Sequence, residues 1–561
     1  GANALAGLIY IKTKDPTNQF EGTSEITLGD YGTQNLGIAF GGPMKNEKLK
    51  YRLVLRTDYA DGFRKNIFLN KSDTSKKDEL TLRYKLNWDL NETTEINFLI
   101  SKVDMDDPAD IWTIDGSLNT LSDRPGMDSQ ETDSYGIKIT KNFNNFDLQS
   151  FTSVTNTDVN FSYDADWGNS ESHFPYIYDY FSETLRKRDT FSQEIRFLSK
   201  NTDFSQKNPF EWVFGFDFSE LEETNVTRDD GIYGDPSDPY GPYESESVVS
   251  RNYEAENLSL FGNIDYFLSE NYKLAFGLRW ENWDSKYNDS NQESFNPSDN
   301  MNGGKISLIK NNDNSNIYFS IARGYKQGGF NLGLDATDNS IKDSLIYDPE
   351  FLTNYEIGLS SNNNNSILNY SAVFFFSKRE DQQVLISRQV DPTDPNTFSY
   401  LTQNAAEGEN YGLEISSNYF VRDNLNLYAN FGLLKTKIKN WESRSDLENR
   451  AQAHAPERNF SLGANLSFKN NFYLKMDING KSSFFYSDSH NNKSKSYKLV
   501  NLSLGYTKSN FSTDIWVRNL FDEYYSTRGF FFGNEAPNFV DTLYRRQGDP
   551  KNIGISLRYD F

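Results

Sequence analysis

The feature that most constrains this chain is alternation. Along nearly its whole length apolar side chains recur at every second position, with polar or charged ones between them. Period two marks an extended strand whose two faces meet different surroundings. From Leu49 onward, Leu49, Tyr51, Leu53, Leu55 and Tyr59 share one face, while Lys50, Arg52, Arg56 and Asp58 share the other. Leu80, Leu82, Tyr84, Leu86, Trp88 and Leu90 alternate with Thr81, Arg83, Lys85, Asn87 and Asp89. Tyr272 to Trp280 and Phe460 to Phe468 repeat the pattern, and Ile553, Ile555, Leu557, Tyr559 and Phe561 end it. No run approaches the roughly 18 consecutive apolar residues of a membrane-spanning helix, so a helical membrane protein is excluded.

A soluble sandwich also alternates, so the connections must distinguish the two. One set is short and rich in Asn, as at Asn91–Thr94, Asn144 and Asn145, Asn311–Asn314, Asn362–Asn365, Lys469–Asn471 and Lys508–Asn510. Such residues tolerate the positive φ of tight turns. The other set is long: Asp106–Glu131, Ser162–Lys187, Glu222–Arg251, Asp284–Met301, Gly324–Glu350, Arg379–Glu409, Lys437–Ala455 and Glu523–Gly548. Short and long connections follow each other in order, as in an up-and-down antiparallel barrel with turns on one side of a membrane and binding loops on the other.

The expectation is therefore an all-β chain: a 22-stranded antiparallel transmembrane β-barrel, running from Glu21–Gly29 to Asn552–Phe561, with short periplasmic turns and long extracellular loops. Tyr51 with Tyr59, and Tyr272 with Trp280, stand eight residues apart. At about 3.3 Å per residue and a tilt near 40°, that is roughly 20 Å along the membrane normal, close to the spacing of two interfacial aromatic girdles. A bore this wide cannot be filled by wall side chains, and 22-stranded barrels hold a plug. Lys50, Arg52, Arg56, Arg83, Lys85, Arg196 and Arg279 would face water or that plug, which implies conduction or transport of something.

Composition narrows the remaining classes. The 561 residues carry 57 Lys and Arg against 80 Asp and Glu, a net charge of −23, which argues against a nucleic-acid partner. The absence of Cys removes disulfides, thiolate zinc sites and cysteine nucleophiles. With 43 Phe, 34 Tyr and 8 Trp, the chain has far too much to bury for disorder. No Gly-rich phosphate cradle follows a strand and opens a helix, so neither an enzyme nor a cofactor is expected. Gly1 is not an initiator methionine, and no export signal surrounds it, so the chain reads as a processed or cropped product.

Ligand-binding candidates lie in the long connections. Trp167, His173, Tyr176, Tyr178 and Tyr180 make one of them the most aromatic, suited to first contact with a solute or to packing of loop on loop. Trp112, Tyr233, Tyr240 and Tyr243 join the list from their neighbours. The carboxylates of Asp104–Trp112 would suit a hard cation such as calcium, but their spacing matches no loop with fixed ligand positions. His173, His454 and His490 fall in different loops, so no metal site is assigned.

Several segments carry a resemblance. Gly1–Lys14 resembles the closing strand of the plug in TonB-dependent outer-membrane receptors, siderophore receptors among them, and Phe20-Glu21-Gly22 resembles the entry to their first barrel strand. Gly324–Asn331, Tyr355–Leu359, Asn410–Ile415 and Val517–Tyr525 are similar to internal and C-terminal motifs of that family, and Tyr559 and Phe561 to its terminal assembly signal. The resemblance implies residues 1–19 as the remnant of a plug domain and linker and residues 20–561 as the receptor barrel. It further implies a Gram-negative outer membrane and its lipid, the barrel's own plug, the TonB energy-coupling complex reached through a TonB box ahead of the plug, and the outer-membrane assembly machinery. The cargo would be a scarce large solute, most readily a ferric chelate such as an iron–siderophore complex, with vitamin B12 and saccharides open. The alternatives are a porin-type passive channel, against which a plug strand argues, and an adhesin that binds without transporting.

Overall fold

In lipid every backbone N–H and C=O needs a partner within the protein, and a sheet achieves this only by closing on itself. That is what forms in the computed structural model, which describes residues 5, 7–45, 47–200, 209–332, 345–361, 367–389, 398–441, 445, 447–488 and 490–561. The main sheet holds 23 strands among the described residues, one of them the two-residue piece Ser294–Phe295 that pairs with Tyr287 and Asn288 at the rim. The other 22 form the wall, antiparallel and paired in chain order. The ring closes where Glu21–Gly29 meets Asn552–Asp560, from Thr23 opposite Asp560 to Gly29 opposite Gly554. One residue further, Gly22 and Phe561 exchange both backbone hydrogen bonds, at 2.7 and 2.9 Å.

The two faces of the wall separate as the alternation requires. Leu260, Phe276, Leu278, Ile306, Phe319 and Ile515 all stay exposed on the outside. An apolar surface that encircles the protein is a lipid surface. Near the short turns aromatic pairs thicken this belt: Phe143 with Phe146 and Phe210 with Tyr266, each at 4.8 Å, and Phe472 with Tyr506 at 4.9 Å.

The inner face is charged and internally paired. Lys50 meets Asp89 at 3.0 Å, Arg52 meets Glu21 at 3.2 Å, and Arg56 meets Asp58 at 2.7 Å. Arg83 shares that face, opposite Val54, and Arg196 pairs with Glu194. Arg279 joins Asp217 at 2.9 Å and Glu281 at 2.8 Å. Lys85 donates to the Thr13 carbonyl and to Asp15, both at 2.9 Å, and so ties the segment before the first strand to the wall. Expected as a strand, that segment is not one over residues 7–17. An extended segment without a sheet neighbour makes no ladder, and Leu8, Ile9, Tyr10 and Ile11 stay 80–89% exposed.

One expectation needs correction. Much of what reads as long connection is strand. Phe210–Gly234 and Tyr243–Ser269 run 25 and 27 residues and stay in register from Phe210 opposite Tyr266 to Tyr233 opposite Tyr243, leaving only residues 235–242 between them. Likewise Asp104–Pro108 ends the strand Thr94–Pro108. A crossing needs about 9–11 residues, so these strands rise well beyond the lipid as a free-standing wall. An antiparallel ladder continues wherever backbone groups can pair, and polar side chains on both faces mark the exit into water rather than the strand's end. The loop side also holds residues 61–76 and 482–496, which the alternation of short and long connections did not single out. The Asn362–Asn365 turn lies outside the described residues.

Candidate ligand-binding surface

At the loop end, three connections distant in sequence lock together on aromatic rings. Asp164 ends its strand, and its Oδ1 accepts the backbone N–H of Trp167 at 2.9 Å. Trp167 itself turns through the left-handed region, at φ 56°, which swings its indole inward. There it stacks on Trp112 at 5.3 Å and 16° and meets Phe532 and Tyr544 edge-on at 5.5 and 5.1 Å. Phe530 covers the other side of Trp112 at 4.7 Å. These partners belong to a hairpin, Ser526–Phe532 against Thr542–Gln547, held by three more bonds. Asn534 donates to the Asp166 carbonyl at 2.9 Å, Gln547 to the Gly116 carbonyl at 3.1 Å, and Arg64 to the Gln547 carbonyl at 2.9 Å. Each aromatic pair adds about 0.5–1.5 kcal/mol beyond its buried area, so the cluster is a rigid floor rather than a set of free loops.

The structure gathers most of the candidate residues here and separates two. His173 meets Tyr178 at 5.1 Å, Tyr178 meets Phe539 at 5.4 Å, and Tyr233 reaches the same Phe539 at 6.0 Å. Tyr176 turns back on His173 through a 2.9 Å backbone bond. Trp167, His173 and Tyr178 are buried, so the cluster shows a visitor its half-buried members, Trp112, Tyr176, Tyr180 and Tyr233 with the hairpin rings Phe530, Phe532 and Phe539. Tyr240 and Tyr243 stand apart on the tip of the tall wall, 85% and 53% exposed, with the Tyr243 hydroxyl donating to Asp238 at 2.8 Å. The hairpin aromatics Phe530, Phe532, Phe539 and Tyr544 escape a sequence reading. Their one signal is the run Phe530-Phe531-Phe532 inside a long polar connection.

Beneath the stacked indoles lies a buried acidic pair. Burial, then the charges of Asp166 and Asp123, pushes the Asp164 carboxyl up to about 9. Asp166 Oδ2 stands 3.7 Å from His173 Nε2, both side chains almost fully enclosed. Asp164 Oδ2, Asp166 Oδ2 and His173 Nε2 have no hydrogen-bond partner among the described residues. A carboxyl so enclosed beside a second one keeps its proton through the neutral range. Nearby, Arg124 ties the loops outward, donating to Asp179 at 2.9 Å and to Asp230 while covering the Phe181 ring.

Elsewhere on the loop side the described residues 327–332 pack against neighbouring strands. Phe330, in the Gly324–Asn331 motif, stacks on Phe295 at 5.0 Å and 9° and meets Tyr287 at 5.0 Å and a tilt of 46°. Asn331 exchanges two 2.8 Å bonds with Thr402, and the Gly328 N–H donates to Asp299 at 3.1 Å. Behind it the fully buried Glu281 takes the Tyr325 hydroxyl at 2.6 Å. The motif thus pins the loop to the inner wall.

Among the described residues no group of three or more His, Asp or Glu is arranged to hold a metal ion. His454 lies against Phe484 and His490 against Phe531, away from His173, and burial lowers the pKa of both. The carboxylates of Asp104–Trp112 take protein donors: Lys76 on Asp106 at 3.4 Å, the Asp78 N–H on Asp107 at 2.7 Å, and Asn66 on Asp110 at 3.0 Å.

A family model described as TonB dependent receptor-like, beta-barrel matches residues 13–520. Among solved structures, the ferric yersiniabactin uptake receptor FyuA from Yersinia pestis is similar at a TM-score of 0.78 and 17% identity, over 98% of this chain and 81% of that one. The siderophore receptor PiuA from Acinetobacter baumannii is similar at 0.78 and 15%, over 100% and 84%. The ferric-catecholate import receptor Fiu from E. coli K12 is similar at 0.74 and 14%, over 100% and 84%.

Proposed function

The chain belongs to the TonB-dependent receptors, transporters of the Gram-negative outer membrane, and from that premise we propose that it imports a scarce large solute, an iron–siderophore complex first among them. Exposed Tyr240 and Tyr243 on the tall wall make first contact, and the solute settles on the half-buried rings of Trp112, Tyr176 and Tyr233. A plug in the bore then yields to TonB-driven displacement. One observation supports the plug above others: the apolar segment Leu8–Ile11 lies bare just ahead of Thr13 and Asp15, which Lys85 of the inner wall tethers. Such a segment needs sheet neighbours, which a plug supplies. Residues 1–19 then serve as the plug's end and linker and residues 20–561 as the barrel, with Tyr559 and Phe561 at the seam for the assembly machinery. The iron preference draws on the likeness to FyuA, PiuA and Fiu, whose 14–17% identity carries the fold alone.

The test is uptake of radioactive iron as siderophore complexes by cells that express the full receptor and lack other iron receptors. Saturable uptake that disappears when TonB is deleted is the expected result. Iron entry that survives without TonB, together with a large steady conductance in planar bilayers, would replace the reading with a passive channel.

A further inference from the structure

The hairpin that floors the loop cluster also carries an unneutralised positive charge. Arg528 and Arg546 face each other across its two strands. Like charges directly opposite destabilise a strand pair, so the arrangement is costly as it stands. Arg64, only 6% exposed, lies against the same hairpin through its bond to the Gln547 carbonyl. Burying a guanidinium without a carboxylate costs several kcal/mol. Burial and then repulsion from Arg546 pull its pKa down to about 10. Opposing charges are present but engaged or distant: Asp549 and Asp110 act on Arg64 without forming an ion pair, and Asp110 already accepts from Asn66 and Thr120. Arg528 lies over the Phe530 ring at 4.8 Å and has no carboxylate partner among the described residues. None of these three arginines makes an ion pair among the described residues, and one hairpin brings all three together in a chain of net charge −23.

We propose that Arg64, Arg528 and Arg546 form a subsite for a multivalent oxyanion, the carboxylate- or phosphate-bearing edge of an anionic solute. Guanidinium forks match such groups two oxygens at a time. The hairpin is flanked by Trp112 and Trp167 on one face and by His490 and Tyr486 on the other, away from the apolar outer wall, so the anion is a free solute rather than a lipid headgroup. The adjoining Trp112 and Phe530 rings give its carbon skeleton a surface. The inference rests on the import reading and deepens it, because it fixes the charge of the cargo.

Inorganic phosphate is the probe, used on the full receptor purified in detergent free of lipopolysaccharide. Amide exchange across residues 526–547 is compared in ~10 mM phosphate and in chloride of equal ionic strength. Wild type should exchange about sixfold more slowly in phosphate, the protection given by a Kd of about 2 mM. Arg528→Gln and Arg546→Gln, at exposed and half-buried positions, should lose that difference while keeping heat-modifiable migration on gels. Equal exchange of wild type in both salts overturns the subsite, as does protection that survives both substitutions. Phosphate protection without TonB-dependent iron uptake in the same cells would sink the import reading and leave the subsite standing. Uptake without protection would do the reverse.

Discussion

Replacing Asp164 by Asn should tighten the loop cluster, and the size of the effect follows from its proton. Asp164 titrates near 3.8 when the loop is open and at about 9 when it is closed. The folded-state pKa is the raised one, so the closed cluster keeps a proton that the open loop releases. Its stability is then greatest below about pH 4, falls by about 1.4 kcal/mol per pH unit above that, and levels off beyond about pH 9. At pH 7 the accumulated cost is about 4 kcal/mol. Asn keeps the Oδ1 that accepts the Trp167 N–H at 2.9 Å, and its amide can donate to Asp166 Oδ2, which has no partner. The opening free energy at pH 7 should rise by about 2–4 kcal/mol, a slowing of roughly 30- to 1,000-fold in the exchange of the Trp167 and Tyr180 amides. Hydrogen exchange with mass spectrometry between pH 5 and 8, corrected for intrinsic rates, reads both the shift and its slope. In wild type protection should fall as pH rises, and in Asp164→Asn it should be flat. A flat wild-type profile, or faster exchange in the variant, would refute the account of a proton held on Asp164.

Two further outcomes test the wall itself. Ile306→Lys puts a charge on the lipid belt opposite Phe276 and Ile321 and should cost about 2–4 kcal/mol in urea unfolding from vesicles, whereas Lys305→Gln on the inner face should change little. Gly22→Ala places a Cβ into the Phe561 ring at the seam and should lower the yield of assembled barrel, read as the heat-modifiable band on a gel. A full yield with the ring displaced would show that closure does not depend on that contact.

Most of the wall was legible because each crossing writes its own alternation. Tyr272 to Trp280 needs no knowledge of its neighbours to declare an outer face, and Asn-rich turns mark where the chain reverses. The tall wall was not legible, for the same reason read backwards. Above the lipid, Glu220, Glu222 and Thr224 replace the outward Phe214, Phe216 and Phe218 of the same strand, while the ladder to Tyr243–Ser269 continues unbroken. Two-sided polarity looks like loop in a sequence, since only the pairing distinguishes strand from coil there. The acidic pair was hidden too: Asp164-Ala165-Asp166 reads as a solvated tip until Trp167 is seen to close over it.

The site's members were visible as aromatic residues, but their partnerships were not, because they depend on closure. Trp112 and Phe530 are over four hundred residues apart in sequence and 4.7 Å apart in space. They meet because Glu21–Gly29 pairs with Asn552–Asp560, which sets the last loop beside the early ones. Arg64 and Arg546 come together by the same route. The final hairpin is thus a wedge between loops from both ends of the chain, reaching Trp112 and Trp167 on one face and His490 on the other. The wall below it depends only on backbone pairing and a lipid-facing stripe, so the ring brings this hairpin among those loops and its own rings and amides then lock it there. On the proposed reading, exchanging Arg528 or Arg546 alters the cargo while leaving the barrel's closure untouched, and the seam is where a difference in cargo would first be written into such a chain.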